Sequence, residues 1–115
     1  MAVTRIEPGK RMSACVIHGD TVYLAGQVAD NPKGDVKAQT EDVLRKIDAL
    51  LAKAGSGKSQ LLSATVYLAD IRNFGAMNAA WDAWVDAANA PARATVEARL
   101  AAPEYLVEIA VIAAK

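Results

Sequence analysis

Hydrophobic and polar positions follow two periods along this chain, and the switches between them mark out its elements. Residues 3–6 and 12–18 read as short strands, and Gly19-Asp20 separates the second from a third, Thr21-Val22-Tyr23-Leu24-Ala25, which makes a meander. The segment Asp30-Asn31-Pro32-Lys33-Gly34-Asp35 has the composition of a loop and ends in a potential helix cap at Asp35. Val43, Leu44, Ile47, Leu50, Leu51 and Ala54 then recur at helical spacing, and Gly55 is a suitable stop. Leu62, Ala64, Val66 and Leu68 alternate with Ser63, Thr65 and Tyr67, which predicts a strand with the first four on its buried face. Asp70 or Asn73 could cap a second helix, with Phe74, Met77, Trp81, Trp84 and Ala88 as its apolar stripe. Two further strands are expected over 94–100 and 105–113.

The order of three strands, helix, strand, helix and two strands predicts a two-layer α/β sandwich, with about six strands and both helices on one face. The last strand carries Ala110 and Ile112 with Leu106 on one side and Val107, Ile109 and Val111 on the other, so both its faces are apolar. An uncovered apolar sheet face is most simply closed by copies of the same chain, giving a homo-oligomer.

Composition narrows the function classes. The 115 residues suit a single domain over 1–115. Thirteen basic and thirteen acidic residues cancel without forming a charged block, which argues against a nucleic acid or an anionic membrane as partner. Cys15 is the single cysteine, so an internal disulfide and a multi-cysteine metal site are excluded. The first residues lack the pattern of a secretory signal, and no apolar run is long enough to span a bilayer; a cytoplasmic location is expected. Apolar residues make up 53% of the chain, more than a domain this small would be expected to bury alone.

Few residues carry candidate chemistry. Gly57-Lys58-Ser59 resembles the end of a phosphate loop, but Ala52 stands where the first glycine is needed and the segment follows a helix rather than a strand. His18 beside a turn and Cys15 within a strand have no visible ligand set or activating neighbour. The tryptophans at helical spacing read as core, while Asn78 lies at the edge of that stripe, where its amide could cap a pocket or face water. Strand alternation puts Arg93, Thr95, Glu97 and Arg99 on one face; this is either a solvated face or one on which Arg93 binds an anion with its planar fork. Glu108 interrupts an apolar strand, so it is either a buried ion-pair partner or an acid tuned for proton transfer. A simple hairpin of the last two strands would set Glu108 opposite Glu97 and leave Arg93 roughly 13 Å further along, at about 3.3 Å per residue. One site using both residues needs another strand order, or a bridge by substrate or by a neighbouring subunit.

At these residues the chain resembles the RidA/YjgF family of reactive-intermediate deaminases over nearly its full length. The likeness is carried by Leu24-Ala25-Gly26-Gln27-Val28, by Asn78 with Trp81, by Pro91-Ala92-Arg93 and by Glu108-Ile109. It implies a chorismate-mutase-like fold, a homotrimer with its sheets around a central barrel, and pockets between subunits. It also implies hydrolysis of 2-imino or 2-enamino acids, such as 2-aminoacrylate, to 2-keto acids and ammonia, without a cofactor or a metal. Arg93 would grip the substrate carboxylate and Glu108 would activate water or pass a proton. Gly26 and Thr95, through backbone groups, and Asn78 would line the pocket. Many deaminating members carry a tyrosine near the second strand, a serine before the glycine and a cysteine two residues after the arginine. Here Met12-Ser13, Ala25 and Thr95 stand in those places, which bears on pocket shape and on the preferred imine. The competing expectation is a non-catalytic trimer of the same fold that binds a 2-keto acid or another small carboxylate. Holdase and ribonuclease activity, also associated with the family, find no basic patch in this chain.

Overall fold

In the computed structural model, which describes residues 1–115, a six-stranded mixed sheet carries two helices on one face. Strands β1 (Val3–Pro8), β2 (Ser13–His18) and β3 (Thr21–Leu24) form the antiparallel meander, and the β2–β3 turn is tight enough to need Gly19 at φ +60°. Helix α1 (Val36–Lys53) starts where Asp35 accepts a hydrogen bond from the Ala38 N–H, and it ends at Gly55, whose φ of +78° favours glycine. The six residues of the expected α1 stripe are all buried. Strand β4 (Leu61–Leu68), helix α2 (Phe74–Trp84), β5 (Ala92–Glu97) and β6 (Val107–Ala114) complete the chain. No helix is long and apolar enough to cross a membrane.

Strand order is β1-β2-β3-β6-β4-β5, so β4 lies between the last two strands and they do not form a hairpin. β4 runs parallel to β5 and antiparallel to β6. A parallel β4–β5 pair needs a crossover connection, and α2 supplies it. One sheet face is packed under the helices by Ala64, Val66, Leu68, Val107, Ile109, Val111 and their neighbours. The other is not covered within the chain: β6 alternates between buried and half-buried residues, and Tyr23, Leu62 and Val96 stay exposed.

Several boundaries differ from the sequence expectation, for identifiable reasons. An irregularity between Leu61 and Ser63 in the β4–β6 register turns Leu61 into the core and leaves Leu62 52% exposed, so Leu62 does not share the face of Ala64, Val66 and Leu68. Asp70 caps a short 3₁₀ turn (Ile71–Asn73) by accepting from the Arg72 N–H, whereas Asn73 precedes α2 without a side-chain cap. α2 ends at Trp84, which leaves Ala88 in a separate 3₁₀ turn and Phe74 exposed at the opposite end. β5 stops at Glu97, whose carboxylate accepts from the Ile71 N–H, so Arg99 falls in the loop beyond the strand.

Candidate functional site

Arg93 lies on β5, an edge strand, in register with Ala64 of the core face, and its side chain therefore runs toward α2. The guanidinium carbon lies 5.0 Å from the ring centre of Trp81 and 5.8 Å from that of Phe74, and Nη1 is 3.8 Å from the Met77 sulfur. These contacts hold the guanidinium beside an aromatic wall and use little of its hydrogen-bonding capacity. No carboxylate pairs with it. Partial burial lowers the guanidinium pKa from its usual value, with Asp82 opposing the shift weakly. A cation that is partly desolvated and without a counter-ion is suited to an anionic ligand.

Asn78 and Thr95 belong to the same neighbourhood. Asn78 is half-buried and shares the α2 face of Phe74 and Trp81 by its spacing of four and three residues from them. Thr95 points to the same sheet face as Arg93, in register with Val66, and its hydroxyl oxygen is buried without a hydrogen-bond partner. A buried hydroxyl left unpaired is destabilising, and a ligand beside Arg93 could pair it.

Glu108 is placed differently. It is in register with Tyr67 on the uncovered sheet face, half-buried and without an ion pair. Its position in an apolar strand is tolerable because the residues alternating with it, Val107 and Ile109, supply the core side. The expectation of a buried ion pair at Glu108 is therefore not met within the chain. Gly26 passes directly over it: the neighbouring Gln27 exchanges both backbone hydrogen bonds with Ile109, at 2.8 and 3.1 Å. A Cβ on residue 26 would clash with Glu108 Oε2. Gly26→Ala is thus expected to displace the carboxylate while the sheet persists, since the flexible end of Glu108 must yield before the backbone does. A loss of turnover with an unchanged melting temperature would bear this out, and full activity in Gly26→Ala would show that the Glu108 position is not critical.

Gly26, Tyr67, Glu108 and Ala110 face the loop Ala98–Ala101 across an open cleft of about 410 Å³. A larger cleft of about 720 Å³ lies on the other side of that loop and contains neither Arg93 nor Glu108. Arg93 and Glu108 are two strands apart and offset by three residues, roughly 14 Å between Cα atoms, and they point to opposite sheet faces. The fold thus joins the five candidate residues in two groups: Arg93, Asn78 and Thr95 under α2, and Gly26 with Glu108 on the open face. Tyr67 and Arg99 also border the Glu108 cleft; Arg99 was expected on the face of Arg93, and Tyr67 carried no functional expectation from the sequence. Tyr67 does stand on the polar side of an alternating strand, but nothing local distinguishes it from a solvated tyrosine.

Comparison with known proteins is consistent along the whole chain. A family model described as endoribonuclease L-PSP matches residues 3–115. The chain is 50% identical over 114 residues to the RutC family protein YoaB of Escherichia coli, covering 99% of both chains. It is 47% identical to a RutC family protein of Haemophilus influenzae, covering 98% of both. Among solved structures, a YjgF-family protein from Neisseria meningitidis superposes with a TM-score of 0.97 at 43% identity, covering 100% of this chain and 96% of that one. A putative translation initiation inhibitor from Salmonella typhimurium gives 0.91 at 46% identity, with 99% and 98% covered.

Proposed function

The chain belongs to the YjgF/RidA family, and from that premise we propose that it is a trimeric deaminase that hydrolyses reactive 2-imino and 2-enamino acids to 2-keto acids and ammonia. The observation that carries this reading is the Arg93 guanidinium, held near the Trp81 and Phe74 rings and free of any carboxylate. It offers a bidentate grip to a substrate carboxylate, with the unpaired Thr95 hydroxyl on the same sheet face.

Because Arg93 and Glu108 lie on opposite faces of one sheet, a complete pocket requires that Arg93 of one subunit meet Glu108 of the next. The uncovered face, with Val16, Tyr23, Ala110, Ile112 and Val96, supplies the apolar area for such an assembly, and Arg93 sits on an edge strand where a neighbour can reach it. In this arrangement the carboxylate of the imine is fixed by Arg93 while Glu108 takes a proton from water. The water oxygen bonds to C2 as the C=N π pair moves to nitrogen, and Glu108 gives the proton it took to that nitrogen, leaving a carbinolamine and a free carboxylate. Glu108 then passes the hydroxyl proton to the amine, the C–N bond breaks, and ammonia leaves the 2-keto acid. No electron-sink cofactor is needed, because the imine carbon is already electrophilic and placement provides most of the acceleration.

The test is to generate imino acids in situ with an amino-acid oxidase, trap them with semicarbazide, and measure the adduct. A fall in trapped imine on adding the protein supports the reading. Absence of an effect across several imines, from protein shown to be trimeric, would refute it. A second reading, capture of a 2-keto acid without turnover, is also served by Arg93, and 2-keto acid binding without imine loss would select it. The ribonuclease in the family description has no support in the charge distribution, as 13 basic and 13 acidic residues offer no electrostatic footprint for RNA.

A further inference from the structure

The amide of Gln39 lies in the first turns of α1, only 1% exposed, and uses its hydrogen-bonding capacity on loops rather than on the helix. Its Nε2, with two hydrogens, is shared among the carbonyls of Pro32, Gly34 and Glu104 at 2.9, 3.1 and 3.0 Å, and its Oε1 accepts from the Leu106 N–H at 3.0 Å. One side chain therefore ties two segments far apart in sequence. The first is the loop that leaves Gly26 and enters α1. The second is the lead into β6, ending two residues before Glu108. The same helix holds the first segment again further along: Asp42 Oδ2 accepts from the Asp30 and Asn31 N–H groups, and Lys46 Nζ donates to the Val28 carbonyl. The Arg93 group receives none of these bonds.

We infer that Gln39 is a positioning residue for the Gly26–Glu108 half of the pocket, holding the entry to β6 against the loop after Gly26 so that the Glu108 carboxylate stands in a fixed place. This rests on the deaminase reading for its kinetic consequence. The geometric reason is that Gly26 and Glu108 touch with no spare room, so their relative placement depends on how the two segments are anchored. An apolar residue at 39 would remove the two amide N–H donors and the one acceptor that join the segments, and both segments would loosen.

The experiment compares wild type with Gln39→Met, which keeps the side-chain length, with Gln39→Asn, which keeps the amide but is too short for all four partners, and with Leu51→Ala, a core truncation near the other end of α1. Imine turnover and backbone hydrogen exchange are measured on each. Gln39 variants are expected to lose about tenfold or more in kcat, since misplacement by about 1 Å can remove about 10²-fold. KM should stay within about twofold, because the Arg93 grip is untouched. Exchange should quicken at residues 26–34 and 104–109 and not evenly along the chain, and Leu51→Ala should give neither the kcat loss nor this local pattern. Unchanged kcat, a proportional rise in KM, or uniformly faster exchange in both folded Gln39 variants would overturn the inference. If the wild type itself turns over no imine, the deaminase reading fails and exchange alone decides: local quickening at the two segments sustains the positioning role, and its absence rejects it.

Discussion

Replacing Arg93 with alanine is expected to lower kcat/KM for imino acids by roughly 30- to 5,000-fold, corresponding to about 2–5 kcal/mol for truncating one partner of a desolvated charge pair. The guanidinium is half-buried against Trp81 and Phe74 and has no carboxylate partner of its own, so its removal leaves no buried anion inside the chain. Folding and assembly should therefore persist, with a small loss of packing from the missing side chain. Arg93→Lys keeps the charge but loses the planar fork, and is expected to recover only a minor part of the activity. Steady-state kinetics together with light scattering check the outcome. If the alanine variant no longer assembles, the arginine is structural; if it assembles and works normally, the substrate carboxylate is held elsewhere.

Glu108→Gln is expected to lower kcat by about 10²- to 10⁴-fold, the usual contribution of a positioned acid–base group, with 2-keto acid affinity within about threefold of wild type. Glutamine preserves size and most contacts but cannot accept the water proton. An unchanged rate would remove Glu108 from the mechanism. Mixing the two inactive variants tests the shared pocket directly. If each pocket takes Arg93 from one subunit and Glu108 from its neighbour, three quarters of randomly mixed trimers contain one intact pocket in three, or about 25% of the wild-type activity. If both residues act from the same subunit, mixing restores nothing.

Much of the fold was legible because its elements announce themselves locally. The stripe from Val43 to Ala54, the cap at Asp35 and the stop at Gly55 depend on neighbours a few residues apart, and all stand where the spacing put them. Leu62 did not follow, because a register irregularity is a property of two paired strands and leaves no mark on the alternation of one. Arg93 and Glu108 could be picked out as unusual residues in their strands. Gln39 was passed over, although a glutamine set among Val36, Val43 and Ile47 on an apolar stripe is a visible anomaly.

By itself the sequence determined the two-layer class, the order of strands and helices and the family likeness carried by Gly26, Asn78, Arg93 and Glu108. These follow from periodicity, composition and short motifs, which are local quantities. Only the tertiary structure decided that β4 intervenes between β5 and β6, that Arg93 turns under α2 while Glu108 turns to the open face, and that Gln39 binds two distant loops. The physical reason is that strand alternation assigns a residue to one of two faces without saying which face the helices will cover. Pairing partners many residues apart settle that choice, and with it which residues of the pocket one chain can bring together.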